Sequence, residues 1–330
     1  MGRRKFIRQT VAAGVAGALV LALAACAGSS GTSGAKSGGS AKIVMGFAQV
    51  GAESGWRTAN TISIQAAAKK AGVQLKFSDA QQKQENQIKA IRSYIQQKVS
   101  VIGFSPVVET GWDTVLKEAK DAGIPVILTD RAVDSKDKSL YVTFLGSDFV
   151  AEGQKAGDWT VKEFGDTPTN VVVIEGTTGA APAIDRKTGF DKVIAAKPNI
   201  KVIASQTGDF TRAGGKQVME AFLKSNPKID MVYAHNDDMA LGAIEAITAA
   251  GKVPGKDIKI ISIDAVKDGM TALSQGKINY IVECSPLLGP QLMDTAKKVL
   301  AGDTVEKWIK TTESEFDQAG ATAALPTRKY

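Results

Sequence analysis

The stretch QENQIKAIRSYIQQKVSVIGF, Gln84 to Phe104, carries the decision about the fold. Ile88, Ile91 and Ile95 recur at spacings of three and four, which puts one apolar stripe on a helix near Gln84 to Val99 while Lys89, Arg92 and Gln96 face water. Val101 to Phe104 then reads as a short strand. Outward in both directions the alternation repeats. Before it come strand Ile43 to Gln49, a helix near Arg57 to Ala71 and strand Val73 to Ser78; after it come helix 112–122 and strand Val126 to Thr129. Helical and β-branched runs in alternation mean an α/β fold with mostly parallel strands.

A second series follows: helix 149–164, strand Val171 to Glu175, helix 183–196, strand Val202 to Gln206, helix 213–225, strand Met231 to Ala234, helix 238–250, strand Ile258 to Ile263, helix 268–275 and strand Tyr280 to Val282. Two α/β sheets in tandem fit this better than one very wide sheet. Two doubly wound, Rossmann-like lobes are therefore expected.

The chain before Lys42 has another character. Arg3, Arg4, Lys5 and Arg8 precede an apolar run, Val11 to Ala25, that is too short to span a bilayer comfortably and reads as a signal peptide over residues 1–25. Leu23-Ala24-Ala25-Cys26 matches a bacterial lipobox, so Cys26 is the expected lipidation site and the membrane an expected partner through that anchor. Arg3-Arg4-x-Phe6-Ile7 is similar to a twin-arginine export signal, although Gly2 stands where Ser or Thr is usual and a Sec route stays open. From Ala27 to Ser40, eleven of fourteen residues are Gly, Ser or Thr, a flexible tether within residues 26–41. Its random-coil span is roughly 20 Å.

Composition excludes several classes of function. The net charge of +7 falls to +3 without the leader, too little to suggest nucleic acid. With Cys26 used by lipid, Cys284 stands alone and no intrachain disulfide forms. His235 is the only histidine, so His-rich metal sites are excluded, as is a Ser-His-Asp triad built on any other base. The Gly-Lys pairs at 215, 251, 255 and 276 are never followed by Ser or Thr, and no GxGxxG occurs. No cofactor is expected.

In open parallel sheets the ligand crevice lies beyond the carboxyl ends of the strands. The residues there are Glu53, Ser54, Trp56 and Arg57, then Ser105, Asp130-Arg131, Arg186, Phe210, Asn236-Asp237-Asp238, Asp264 and Glu283. Guanidinium forks and carboxylates can share vicinal hydroxyls, and aromatic faces can cover the apolar side of a sugar ring. The collection suits a small neutral polyol. Asp237 and Asp238 open a helix and read as capping groups, leaving Asn236 as the ligand candidate. Trp112 reads as packing, and His235 as structural or ligand-adjacent.

Several longer motifs point to a family. They are Gly46 to Arg57 (GFAQVGAESGWR), Gln81 to Ala90 (QQKQENQIKA), Gly111-Trp112, Val115 to Lys120, Lys136 to Tyr141, Gly208 to Arg212 and Tyr233 to Met239. From Lys42 onward the chain resembles type I periplasmic sugar-binding proteins of ABC importers, the ribose- and galactose-binding group, and within it the galactofuranose-binding branch. The resemblance implies sugar contacts at Asp130, Arg131, Arg186, Asn236 and Asp264, with further ones at Trp56 and Arg57 and weaker carry-over to Ser105 and Phe210. Relatives often carry Gln near Glu283, with a spacing to Pro286 that differs by one. It also implies two lobes, 42–146 plus 284–313 and 147–283 plus 314–330, joined by three crossovers acting as a hinge.

The expected function is then a lipid-anchored solute-binding protein, not an enzyme, acting as a monomer. It would bind a monosaccharide, galactofuranose-like or a related pentose or hexose, and deliver it to an ABC permease. Glu53, Trp56, Arg57, Ser105, Asp130, Arg131, Arg186, Phe210, Asn236, Asp264 and Glu283 form the expected binding set. A sugar-sensing co-receptor would use the same fold and site. A lactose-repressor-like regulator would need a helix-turn-helix where this chain has a leader. A sugar-modifying enzyme would need a nucleophile, metal or paired-acid signature that does not stand out.

Overall fold

The computed structural model describes residues 42–330. The leader, Cys26, the tether and the export signal lie outside the described residues. The first run comprises β1 (Val44–Gln49), α1 (Gly55–Ala71), β2 (Gln74–Asp79), α2 (Gln84–Gln96), β3 (Val101–Phe104), α3 (Asp113–Asp121), β4 (Val126–Thr129) and β5 (Thr143–Gly146). The second comprises α4 (Phe149–Phe164), β6 (Thr169–Glu175), α5 (Ala181–Ile194), β7 (Ile200–Thr207), α6 (Arg212–Ser225), β8 (Met231–Ala234), α7 (Asp237–Ala249), β9 (Lys259–Asp264), α8 (Lys267–Ser274) and β10 (Tyr280–Glu283). The chain ends with α9 (Gly289–Ala301), β11 (Trp308–Lys310), β12 (Glu315–Phe316) and α10 (Gln318–Ala324).

Two six-stranded sheets result, ordered β2-β1-β3-β4-β5-β11 and β7-β6-β8-β9-β10-β12. The named strand pairs are parallel except β10 with β12. The strand order reverses between β1 and β3 and again between β6 and β8, so each lobe has its own topological switch point. All residues of the central strands β3, β4 and β8 are buried, as a parallel sheet covered by helices on both faces requires. The edge strand β7 instead alternates half-buried and exposed positions over much of its length. Val172 and Ile174 join one apolar cluster and Val171 and Val173 another, which shows the two faces of the second sheet packed separately.

Sequence periodicity placed the α2 stripe slightly off its true face. Gln87, Ile91 and Tyr94 are buried, while Ile88 and Ile95 are half-buried. The buried face includes two polar side chains that reach backbone, one within β1 and one just beyond β3. Tyr94 Oη donates to the Phe47 carbonyl at 3.0 Å, and Gln87 Nε2 to the Ser105 carbonyl at 2.6 Å. Outside the alternating pattern lie β5, α9, β11, β12 and α10. The strands among them span four, three and two residues, too few to show a period.

Between the sheets the chain passes three times: after β5, after β10, and between β11 and β12. One carboxylate ties the three passages. Glu313 Oε1 accepts from Ser147 Oγ at 2.5 Å, the Ser285 amide at 3.0 Å and Thr311 Oγ1 at 2.9 Å. Among the described residues, no helix is long and apolar enough to cross a membrane.

Candidate functional site

The carboxyl ends of both sheets face a common, narrow cavity. The first lobe lines it with Glu53, Ser54, Trp56, Arg57, Asp130 and Arg131; the second lobe supplies Pro182, Arg186, Phe210, Asn236 and Asp264, and Cys284 comes from the passage after β10. Nine of the eleven residues expected from the sequence therefore meet here. Three carboxylates and three guanidinium groups line the walls, so the balance of charge favours a neutral ligand rich in hydroxyls.

Local structure fixes each group. Ser54 caps α1 by accepting from the Arg57 amide at 3.1 Å, so Trp56 and Arg57 open the first turn. Arg57 is fully committed: Nε donates to Glu53 at 3.0 Å, Nη2 to Asp130 at 2.7 Å and Nη1 to Gln49 at 3.2 Å. Burial opposes its charge, but Asp130 and Glu53 outweigh that and hold the guanidinium above its ordinary value. Arg131 is placed differently. Its Nη1 donates to the Val107 carbonyl at 3.1 Å, yet its buried Nε, 3.7 Å from Asp130 Oδ2, has no hydrogen-bond partner, and neither has Glu53 Oε2. Burial, and then the charge of Arg57, pull Arg131 down to about 10. Buried polar atoms without partners are costly, so Arg131 Nε and Glu53 Oε2 are groups ready for ligand hydroxyls.

On the other wall, Arg186 donates from Nε to Glu152 at 2.8 Å and from Nη1 to the His235 carbonyl at 2.6 Å, leaving Nη2 at 3.8 Å from Asp264. Gly153 makes this possible, because a Cβ there would overlap the Arg186 carbonyl and force α4 away from α5. Asp264 is raised well above the usual carboxylate range, chiefly by burial and in spite of Arg186. Phe210 lies on Gly176, where a Cβ would overlap its ring, and the Arg131 guanidinium sits 5.2 Å above that ring from the opposite lobe.

Asp130, Phe210 and Asp264 have φ values of 62°, 60° and 126°. Such backbone costs on the order of 1–3 kcal/mol per residue and persists where the surroundings enforce it, commonly at ligand sites.

Two expected site residues are elsewhere. Ser105 stands behind the wall, its Oγ donating to Asp130 at 2.8 Å, so it orients a cavity residue without lining the cavity. Glu283 faces away, accepting from the Ser314 amide at 2.8 Å and from Tyr330 Oη at 2.7 Å. Successive side chains of a strand point to opposite sides, so with Glu283 turned to the C-terminal tail it is Cys284 that reaches the cavity. Pro182 and Cys284 were missed; Cys284 lies one residue beyond a strand end already in view.

The aspartates of the Asn-Asp-Asp run also correct an expectation. Asn236 is the cap of α7, accepting from the Met239 amide at 2.9 Å, while its Nδ2 donates to the Phe210 carbonyl at 3.0 Å. Asp237 accepts from Ser262 Oγ at 2.5 Å and the Val266 amide at 2.8 Å, and Asp238 accepts from the Gly55 amide at 2.7 Å. His235 is buried outside the cavity lining and held well below its usual range by burial and then by Arg186. Trp112 is buried and packs on Phe104. Among the described residues, one trio of metal-type donors, Glu152, Cys284 and Glu313, gathers within 4.8 Å, but Arg186 engages Glu152 and the three passages engage Glu313.

Comparison with known proteins agrees with this geometry. Residues 45–304 match the periplasmic binding protein domain. The galactofuranose-binding protein YtfQ of Escherichia coli (strain K12) is 52% identical over 277 residues, covering 83% of this chain and 87% of that one. A Mycobacterium smegmatis protein solved in complex with β-D-fucofuranose is 66% identical with a TM-score of 0.86, covering 87% of this chain and 95% of the other. The arabinose transporter component of Shewanella sp. ANA-3, bound to α- and β-L-arabinofuranose, is 49% identical with a TM-score of 0.84, over 87% of this chain and 96% of the other. These relatives are sugar-binding transport proteins rather than enzymes. With two parallel-sheet lobes and a charge-balanced cavity between them, the chain belongs to the type I periplasmic sugar-binding proteins of ABC importers.

Proposed function

We propose that this protein captures a monosaccharide in its furanose form in the interlobe cavity and releases it to a membrane permease while anchored through lipid on Cys26. The observation that carries the reading is that buried Glu53 Oε2 and Arg131 Nε have no hydrogen-bond partner and that Arg186 and Asp264 stand 3.8 Å apart in the same cavity wall. A furanose offers hydroxyls to such groups and an apolar ring face to Trp56 or Phe210. The names of the relatives support the ring form: galactofuranose, β-D-fucofuranose and L-arabinofuranose.

Because both lobes contribute contacts, the sugar binds the closed arrangement more tightly than an open one and shifts the hinge toward closure. Isothermal titration with D-galactose, D-fucose and L-arabinose, followed by NMR of the bound sugar, tests the proposal. Binding of at least one with furanose resonances enriched over solution is the expected result. Binding of none, or enrichment of the pyranose, overturns it.

A further inference from the structure

Asp264 reaches the cavity from a turn that three separate parts of the chain hold in place. Its φ is 126°, and Ala265 follows at 64°. The Cys284 amide donates to the Asp264 carbonyl at 3.2 Å, and Asp237 Oδ2 accepts from the Val266 amide at 2.8 Å. Between these two, Arg328 Nε donates to the Ala265 carbonyl at 2.7 Å. The first two ties come from the passage just after β10 and from α7. The third comes from the last three residues of the sequence.

Arg328 is itself well fixed. Its Nη1 lies 2.8 Å from Glu283 Oε1, the same oxygen that accepts from Tyr330 Oη at 2.7 Å, and its guanidinium is 4.1 Å above the Tyr330 ring and 5.3 Å above that of Phe316. Only 9% of the Arg328 side chain is exposed. Without Arg328 the Ala265 carbonyl would lose this partner, and the turn would relax toward an ordinary backbone that aims Asp264 elsewhere.

We infer that Arg328 is a positioning residue for the sugar site: the C-terminal segment, clamped by Glu283, holds the Asp264 carboxylate on its bearing. The inference rests on reading the cavity as the sugar site. Glu283 thereby gains a role at one remove, through Arg328, although it touches no part of the cavity.

The test is a double-mutant cycle read by isothermal titration with D-fucose, using Arg328→Met, Asp264→Asn and both together. Arg328→Met is expected to weaken binding about tenfold, the usual scale for a hydrogen bond involving a charged group. In the Asp264→Asn background the same substitution should cost less than about twofold, because both changes act on one contact. Unchanged affinity in Arg328→Met, or losses that multiply in full, overturns the inference. If Arg328→Met melts too early to titrate, Glu283→Gln takes its place, and affinity equal to wild type overturns it.

Hydrogen exchange over Ile263–Lys267 without sugar reads the turn directly. Faster exchange confined to that segment in Arg328→Met supports the inference, and unchanged exchange overturns it. Wild-type protein that binds no D-fucose fails the sugar reading separately, leaving the exchange measurement to decide on Arg328.

Discussion

The Gly55 amide, at the start of α1, donates to Asp238 Oδ2, at the start of α7, over 2.7 Å, joining the two lobes by a direct bond. A second direct bond runs from the Glu109 amide to the Gly179 carbonyl at 2.9 Å. Neither needs a ligand. Closure thus has a component that belongs to the protein alone, and the cavity supplies the rest.

Asp238→Ala removes the side chain from one of these bonds. Affinity for the bound sugar should fall about tenfold, the scale of a charged hydrogen bond, while the melting temperature without sugar changes little. Isothermal titration beside calorimetry checks this, and small-angle scattering should show a more open unliganded form. An unchanged affinity would remove Asp238 from the closing contact.

Arg57 and Arg131 should separate stability from binding. Arg57→Met leaves Glu53 and Asp130 buried without their main cation, a loss of roughly 3–5 kcal/mol in stability. Arg131→Met leaves that pair intact and removes a donor aimed at ligand. It should weaken sugar binding by about 10–100-fold with a small effect on melting. Equal losses in both measurements for both variants would contradict the division.

Glu152 predicts a pH slope. Burial raises its carboxyl to about 8, outweighing the opposing charge of Arg186, from an ordinary value of 4.5. The folded state holds this proton more tightly than the unfolded chain, so the contribution is fully present below the unfolded value and lost as pH rises toward 8. Glu152→Gln should therefore flatten the fall of melting temperature between these two values. A slope identical to wild type in calorimetry across that range would refute the shift.

Gly176→Ala places a methyl group where the Phe210 ring lies. The ring must move off its seat in the cavity wall, so sugar affinity should drop while the far-ultraviolet circular dichroism stays that of the wild type. Retained affinity would mean that Phe210 adds nothing to binding.

Cys26→Ala should release the protein from the membrane fraction and leave sugar affinity unchanged. Fractionation and titration of the same preparation decide this. Loss of binding in the variant would show that anchor and receptor are not separable.

Much of the site could be read in sequence because parallel sheets gather their strand ends. Once β1, β3, β4, β6, β7, β8 and β9 are placed, Glu53, Asp130-Arg131, Phe210, Asn236 and Asp264 follow at a common edge. What failed was facing. Ser105 and Glu283 also sit at strand ends, yet one points behind Asp130 and the other toward the tail. A shift of one residue reverses a side chain on a strand, and no composition signal marks it.

The amino-acid sequence by itself determined the α/β alternation, the two-lobe division and the chemistry available at the strand ends, because period and residue type are local properties. Only the tertiary structure decided which of those groups are already spent. Arg57 and Arg131 look equivalent in sequence, but three partners consume Arg57 while Arg131 keeps a buried donor free. The ties of Asp238 to Gly55 and of Arg328 to Ala265 span 183 and 63 residues. Contacts over such separations exist only after the chain has folded, and they set how the lobes meet and where Asp264 points.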